Sequence, residues 1–325
     1  VCIAGGASHW PALKRWTNAY LAEKTQGETV SVALTPNGRA DAVWEAKEQG
    51  DLTRDKFVMP DTKRMPFDAF AKMLSSTRRN GSPLVPYAQQ QNDSMRKEFA
   101  PLLSDVDAHF AWATEAFECM PEAVNFWMGD DRSSTSFHKD NYENIYVVVT
   151  GTKHFVLLPP HEGHRCYMRK YPSSTCRLKR KGNAPSASAN AHDLSNFGDW
   201  DGDDLFFELE DHSDCDAEVS WSPLDLARDR DAGERARYPR FYSDAWPKPL
   251  HVDVHAGDVL YLPALYYHWV DQSVDAEGRC IAVNYWYDMK FGANFAMHNF
   301  VNAAVYHEEQ EEGGTHLHLE SEFTA

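Results

Sequence analysis

A mainly β fold with flanking helices is what the sequence predicts, and three observations carry that prediction. Beyond Ala123 the chain breaks into short apolar runs rich in Val, Ile, Tyr and Phe, punctuated by turn residues. Two of these runs meet at Thr150-Gly151-Thr152, short enough for an antiparallel hairpin, and Pro159-Pro160 stops the second. Before and after this region, apolar residues recur at helical spacing. At 325 residues, 42% hydrophobic and 25% charged, the chain can bury a core without disulfide staples.

Residues 1–115 read as a mixed region that packs on the β domain. Trp10, Leu13, Trp16 and Tyr20 lie at helical spacing. Val30, Val32 and Leu34 then alternate as in a strand, ahead of a turn at Thr35-Pro36-Asn37-Gly38. Phe67, Phe70, Met73 and Leu74 form a second helical stripe, and such a stripe ordinarily exists to be buried. Leu84 to Gln91 reads as extended, followed by a charged helical stretch from about Asp93 to Glu115.

Residues 116–290 hold the predicted strands: Ala123 to Met128, Thr135 to Asp140, Asn144 to Val149, Lys153 to Leu158, Val259 to Leu262 and Cys280 to Tyr287. Between about 166 and 249 the pattern dissolves into basic and then acidic stretches, which reads as a long, partly mobile insertion. Residues 291–325 begin with a helix marked by Phe291, Phe295 and Phe300 and end in a polar tail.

Thirty-two Lys and Arg against 49 Asp and Glu leave a formal charge of −17. That balance argues against clamping a phosphate backbone or adhering to anionic lipid, and favours a basic protein partner. Six dispersed cysteines without a C-x-x-C pair indicate neither a zinc ribbon nor a disulfide framework, so a reducing compartment is expected: the cytoplasm, with the nucleus also open. No transmembrane or signal segment is expected.

Chemistry concentrates in a few residues. In a strand, period-two alternation puts His138 and Asp140 on one face and Lys139 on the other. Any H-x-D alone is ordinarily a chance surface pair. His268, however, follows a turn, an apolar strand and an aromatic approach from Gly257 onward, which aims it inward. Two imidazoles and one carboxylate, with three positions left open, suit Fe(II) that must bind a bidentate co-substrate and O2 together. A structural zinc site closes its shell instead. Lys153 shares a strand face with Phe155 and Leu157. An ammonium among apolar neighbours wants an anion, here the second carboxylate of 2-oxoglutarate; read alone, it would be a snorkelling strand-end lysine.

Asn125 to Gly129, Thr135 to Tyr146 (TSFHKDNYENIY), Thr150 to Pro160 (TGTKHFVLLPP), Gly257 to His268 and Ile281 to Met289 (IAVNYWYDM) together resemble the Jumonji-C family of Fe(II)- and 2-oxoglutarate-dependent oxygenases. Lys56 to Pro60 and Tyr87 to Gln91 extend the likeness upstream, towards the lysyl-hydroxylase branch. The resemblance implies a double-stranded β-helix of jelly-roll type. It makes His138, Asp140 and His268 the iron ligands and Lys153 the partner of the distal carboxylate of 2-oxoglutarate. Thr135 and Tyr87 are then its hydrogen-bonding helpers, Asn144 and Asn284 the amides near the chelating end, and Tyr146 and Trp127 the walls.

The implied activity is hydroxylation of a lysyl side chain in a protein, pointing to a translation-associated GTP-binding protein, with release of succinate and CO2. Peptidase or lysine-demethylase action on basic tails, or a binding module without catalysis, are the alternatives. A homodimer through the C-terminal helix is also implied. Two departures, the longer stretch after Pro160 and Trp269 next to His268, are expected to border the substrate mouth. His161 and His164 read as a chance spacing in a loop; His251, Asp253 and His255 as a solvated strand edge; His316 and His318 as solvent-exposed.

Overall fold

The structure is a computed structural model and describes residues 1–45, 54–180, 205–212, 218–226, 232–245, 247–293, 295–301 and 303. Its centre is built from β1 (Ala123–Gly129), β2 (Ser134–His138), β3 (Tyr142–Thr150), β4 (Thr152–Leu158), β5 (Leu250–His255), β6 (Val259–Leu262), β7 (Tyr267–Ser273) and β8 (Cys280–Asp288). They form two facing sheets of order β6-β3-β8-β1 and β5-β4-β7-β2. Cys2–Ile3 adds an edge strand beside β6, and Arg39–Ala40 joins β2 in parallel. This is the expected double-stranded β-helix with helices around it.

Alternation explains why the strands read as continuous apolar runs. In the first sheet Trp127, Tyr146 and Val148 point between the sheets, while Phe126, Ile145 and Val147 point outwards. Both faces are buried, because α1 (Phe67–Arg79) and the N-terminal helices cover the outer one with Phe67, Phe70, Met73, Trp10 and Trp16. Full burial of one such side chain stabilises the fold by about 1.5–3 kcal/mol, so a sheet covered twice has little use for polar residues.

Three expectations need correction. β3 and β4 do not form a hairpin: β3 pairs with β6 and β8, and β4 with β5 and β7. The link crosses from one sheet to the other through Gly151, whose φ of +73° and close approach to the Ser273 carbonyl leave no room for a Cβ. Strand β2 ends at His138, so Asp140 lies beyond it and period-two alternation does not place it.

The region expected to be a loop-like insertion carries a long strand, Arg169–Arg180. It pairs antiparallel with Leu205–Asp211 and with Glu218–Trp221, and parallel with Lys56–Met59. Charged cross-strand contacts stand in for apolar alternation: Arg177 meets Glu210, and Lys56 meets Asp211, each at 2.6 Å. Residues 181–204, 213–217, 227–231 and 246 of the insertion lie outside the described residues, as do 304–325 with His316 and His318.

The described parts of the insertion also cover the outer face of the second sheet. Tyr167, Leu224, Tyr238 and Phe241 pack there against Phe137, Val156, Tyr267 and Trp269. No described helix is long and apolar enough to cross a membrane.

Candidate metal centre

Antiparallel pairing of β2 with β7 sets His138 opposite His268, with ring centroids 4.1 Å apart. Between this pair and the Thr135–Val270 pair, two residues of β2, Ser136 and Phe137, stand opposite one of β7, Trp269. Such a bulge turns Thr135 and His138 into the same cavity, which unbroken alternation would forbid. Beyond the strand end, the Asp140 carbonyl accepts the Leu265 N–H at 2.9 Å, tying the ligand loop to the approach of β7. The Asp140 carboxylate comes within 3.8 Å of His138 Nε2 and 3.7 Å of His268 Nε2.

Both imidazoles are oriented from behind. His138 Nδ1 donates to the Ser136 carbonyl at 2.8 Å, and His268 Nδ1 to the Tyr266 carbonyl at 3.0 Å. A carbonyl only accepts, so the proton sits on Nδ1 and the Nε2 lone pair faces Asp140. Burial, with His138 alongside, pushes the His268 pKa down to about 4, which keeps this ring neutral at physiological pH. One ligand atom from each of the three residues lies within 4.8 Å of the others, and among the described residues no fourth His, Cys, Asp or Glu joins them. Two neutral nitrogens and one carboxylate on one side fit an open octahedral Fe(II) site and do not close a zinc tetrahedron.

Lys153 lies in the same cavity, 2% exposed, and donates to the Tyr87 hydroxyl at 3.0 Å. Burial opposes its charge, yet the Tyr146 and Tyr87 oxygens around it hold its pKa above that of an ordinary lysine. Among the described residues no Asp or Glu forms an ion pair with it. A buried ammonium without a carboxylate partner is costly, so this end of the cavity favours an anion. Across the cavity, the Trp127 indole N–H donates to Asn284 Oδ1 at 2.7 Å, and the Asn284 amide donates to Asn144 Oδ1 at 3.0 Å. This relay fixes both amides and one wall.

All ten residues singled out from the sequence therefore line one cavity. Sequence reasoning missed Gln91 and Trp286, which line it too. It also missed Trp221, whose ring stacks on His138 at 5.6 Å and 6° and whose indole N–H donates to Ser136 Oγ at 2.7 Å. Gln91 closes the Tyr87 to Gln91 stretch already noted; Trp221 sits in the patternless insertion and had no local signal.

Trp269 does not border the mouth as expected. Alternation turns it away from the His268 face and buries it at 5% exposure in the outer cluster with Phe137 and Phe241. His251, Asp253 and His255 do occupy the exposed face of edge strand β5, and His161 is largely exposed in a 3-10 turn. A larger cavity, of about 540 Å³, lies beneath the C-terminal helix and contains none of the ten residues.

Residues 1–293 match the family described as a cupin-like domain. With that match and this site, the chain belongs to the cupin-like Jumonji-C (JmjC) family of 2-oxoglutarate-dependent oxygenases. It is 40% identical over 307 residues to "Lysine-specific demethylase JMJ32" of Arabidopsis thaliana, covering 94% of this chain and 79% of that protein. It is 37% identical over 296 residues to "Bifunctional peptidase and (3S)-lysyl hydroxylase JMJD7" of Homo sapiens, covering 91% and 79%. "JmjC domain-containing protein E" of Dictyostelium discoideum is 33% identical over 316 residues, covering 95% and 84%.

Proposed function

We propose that this protein is an Fe(II)- and 2-oxoglutarate-dependent hydroxylase of a lysyl side chain in a protein substrate, releasing succinate and CO2. The observation that carries the reading is the pairing, in one cavity, of an open three-donor triad with a buried lysine that has no carboxylate partner among the described residues. Fe(II) with 2-oxoglutarate, when bound, supplies the activation of O2 and the oxidation itself.

This chain's residues do the rest. His138, Asp140 and His268 hold the metal on one side and leave the other to the co-substrate and O2. Lys153, steadied by Tyr87 and with Thr135 on the same side, anchors the distal carboxylate, while Asn144 and Asn284 present amides towards the chelating end. Trp127, Tyr146 and Phe155 exclude water. The acidic net charge agrees with a basic protein partner rather than nucleic acid.

A lysyl target is supported by the names of two relatives, one a lysyl hydroxylase and peptidase, the other a lysine demethylase. Mass spectrometry of lysine-containing and methyl-lysine-containing peptides incubated with iron and 2-oxoglutarate separates these outcomes. Gain of one oxygen atom is expected. Loss of a methyl group would move the reading to demethylation, and peptide-bond cleavage without consumption of 2-oxoglutarate would move it to peptidase action.

A further inference from the structure

We infer that Asp41 receives the cationic head of the substrate side chain, a primary alkylammonium, at the rim of the metal centre. This rests on the lysyl reading above and adds to it a residue that recognises charge.

The position follows from register. Arg39 stands opposite Ser134 and Ala40 opposite Thr135, so Asp41 falls beside Ser136, two residues before the ligand His138. Ser136 Oγ donates to the Asp41 carbonyl at 2.7 Å and pins the backbone there. Asp41 has a φ of +54°, a left-handed conformation that non-glycine residues seldom adopt. These contacts hold the turn beside β2, within electrostatic reach of His138.

Its carboxylate is short of partners. Among the described residues the one hydrogen bond it accepts is long, 3.4 Å from Gln89 Nε2, although an ionised carboxylate has about four acceptor sites. Among the described residues no Lys or Arg pairs with it. Neighbouring acids are matched: Asp225 holds Arg39 at 2.6 Å, and Glu45 holds Arg237. The carboxylate is thus largely buried with no cationic partner among the described residues.

Trp221, packed between His138 and Phe57, closes the wall next to Asp41. Its ring lies parallel to the His138 imidazole, and Ser136 Oγ links its indole N–H to the Asp41 carbonyl. An unpaired carboxylate beside the metal centre recognises a compact alkylammonium through charge-assisted hydrogen bonds.

The test uses full-length protein loaded with Zn(II), which cannot turn over, and 2-oxoglutarate. Nα-acetyl-lysine N-methylamide and its uncharged norleucine isostere are titrated by ligand-observed NMR. Wild type is expected to prefer the lysine analogue by about tenfold or more, the value of one charge-assisted hydrogen bond. In Asp41→Asn, which keeps the shape and tolerates the positive φ, the two analogues should bind alike. The assignment is overturned if wild type shows no preference, if the preference survives in Asp41→Asn, or if the variant weakens both analogues equally. Lysyl oxidation without an Asp41-dependent preference sinks this assignment alone; such a preference without oxidation of any lysyl peptide sinks the hydroxylase reading alone.

Discussion

Lys153 and Tyr87, 66 positions apart in the chain, meet at 3.0 Å, with the ammonium 5.3 Å from the centroid of the tyrosine ring. The contact joins β4, the strand that follows the crossing at Gly151, to the N-terminal region. Lys153→Met removes a buried charge while nearly keeping its volume, so thermal melting should hold or rise. The 2-oxoglutarate concentration needed for half-maximal succinate release should increase by about tenfold or more, the loss of a charge-assisted contact. An unchanged requirement would move the anchor elsewhere.

Asp140 lies on a loop after β2, and its side chain is 19% exposed. Asp140→Ala should therefore leave the fold intact while removing one of three ligands. Mn(II) binding followed by electron paramagnetic resonance should weaken sharply, and succinate release should cease. Substantial retained turnover would remove Asp140 from the ligand set.

Asp41 also makes a stability prediction. Its folded-state pKa of about 6 lies above the ordinary 3.8, so between these values the folded protein binds more protons than the unfolded chain. Stability contributed by the protonated form is therefore full at the acidic end and is lost as pH rises through about 6. Asp41→Asn escapes this loss. It should unfold at higher denaturant than wild type near neutral pH, by at most about 3 kcal/mol, with the advantage fading below about pH 4. A constant difference across the range would mean that Asp41 is not the titrating group.

Trp269 anchors the cluster on the outer face of the second sheet. Trp269→Ala should cost about 3–5 kcal/mol in urea unfolding, as for other large-to-small core changes, while Mn(II) affinity stays unchanged in protein that remains folded. Weaker metal binding with no loss of stability would return this residue to the mouth.

The C-terminal helix exposes Met297 (62%) and Phe300 (70%), with Phe291 (59%) just before it. Burial of these side chains against a second copy is expected to give a dimer, which Phe300→Glu should dissociate. Sedimentation showing wild-type monomer alone at working concentration would defeat this expectation.

Chemistry was more legible in the sequence than geometry. His138, His268 and Lys153 each stand in a strand context that says which way a side chain faces, and Val30, Val32 and Leu34 are all fully buried as their alternation requires. Asp140 joined them by a route that period two does not describe, because β2 ends before it. Thr135 and His138 share a face only through a bulge, and a bulge depends on pairing with a strand more than 100 residues away. The Arg169–Arg180 strand escaped notice because its cross-strand partners are charged. Asp41 and Trp221 meet the site through Ser136, a contact between three distant segments that no local pattern encodes.

Gly151 sits two positions ahead of Lys153, with the Ser273 carbonyl 2.4 Å from where a methyl group would begin. Alanine at this spot would act as a wedge, prising apart β4 and β7 near their common end. The gap between two paired strands, rather than any atom of the lysine, thus governs where the positive charge comes to rest. A lesion in the scaffold could then masquerade as a defect in co-substrate recognition.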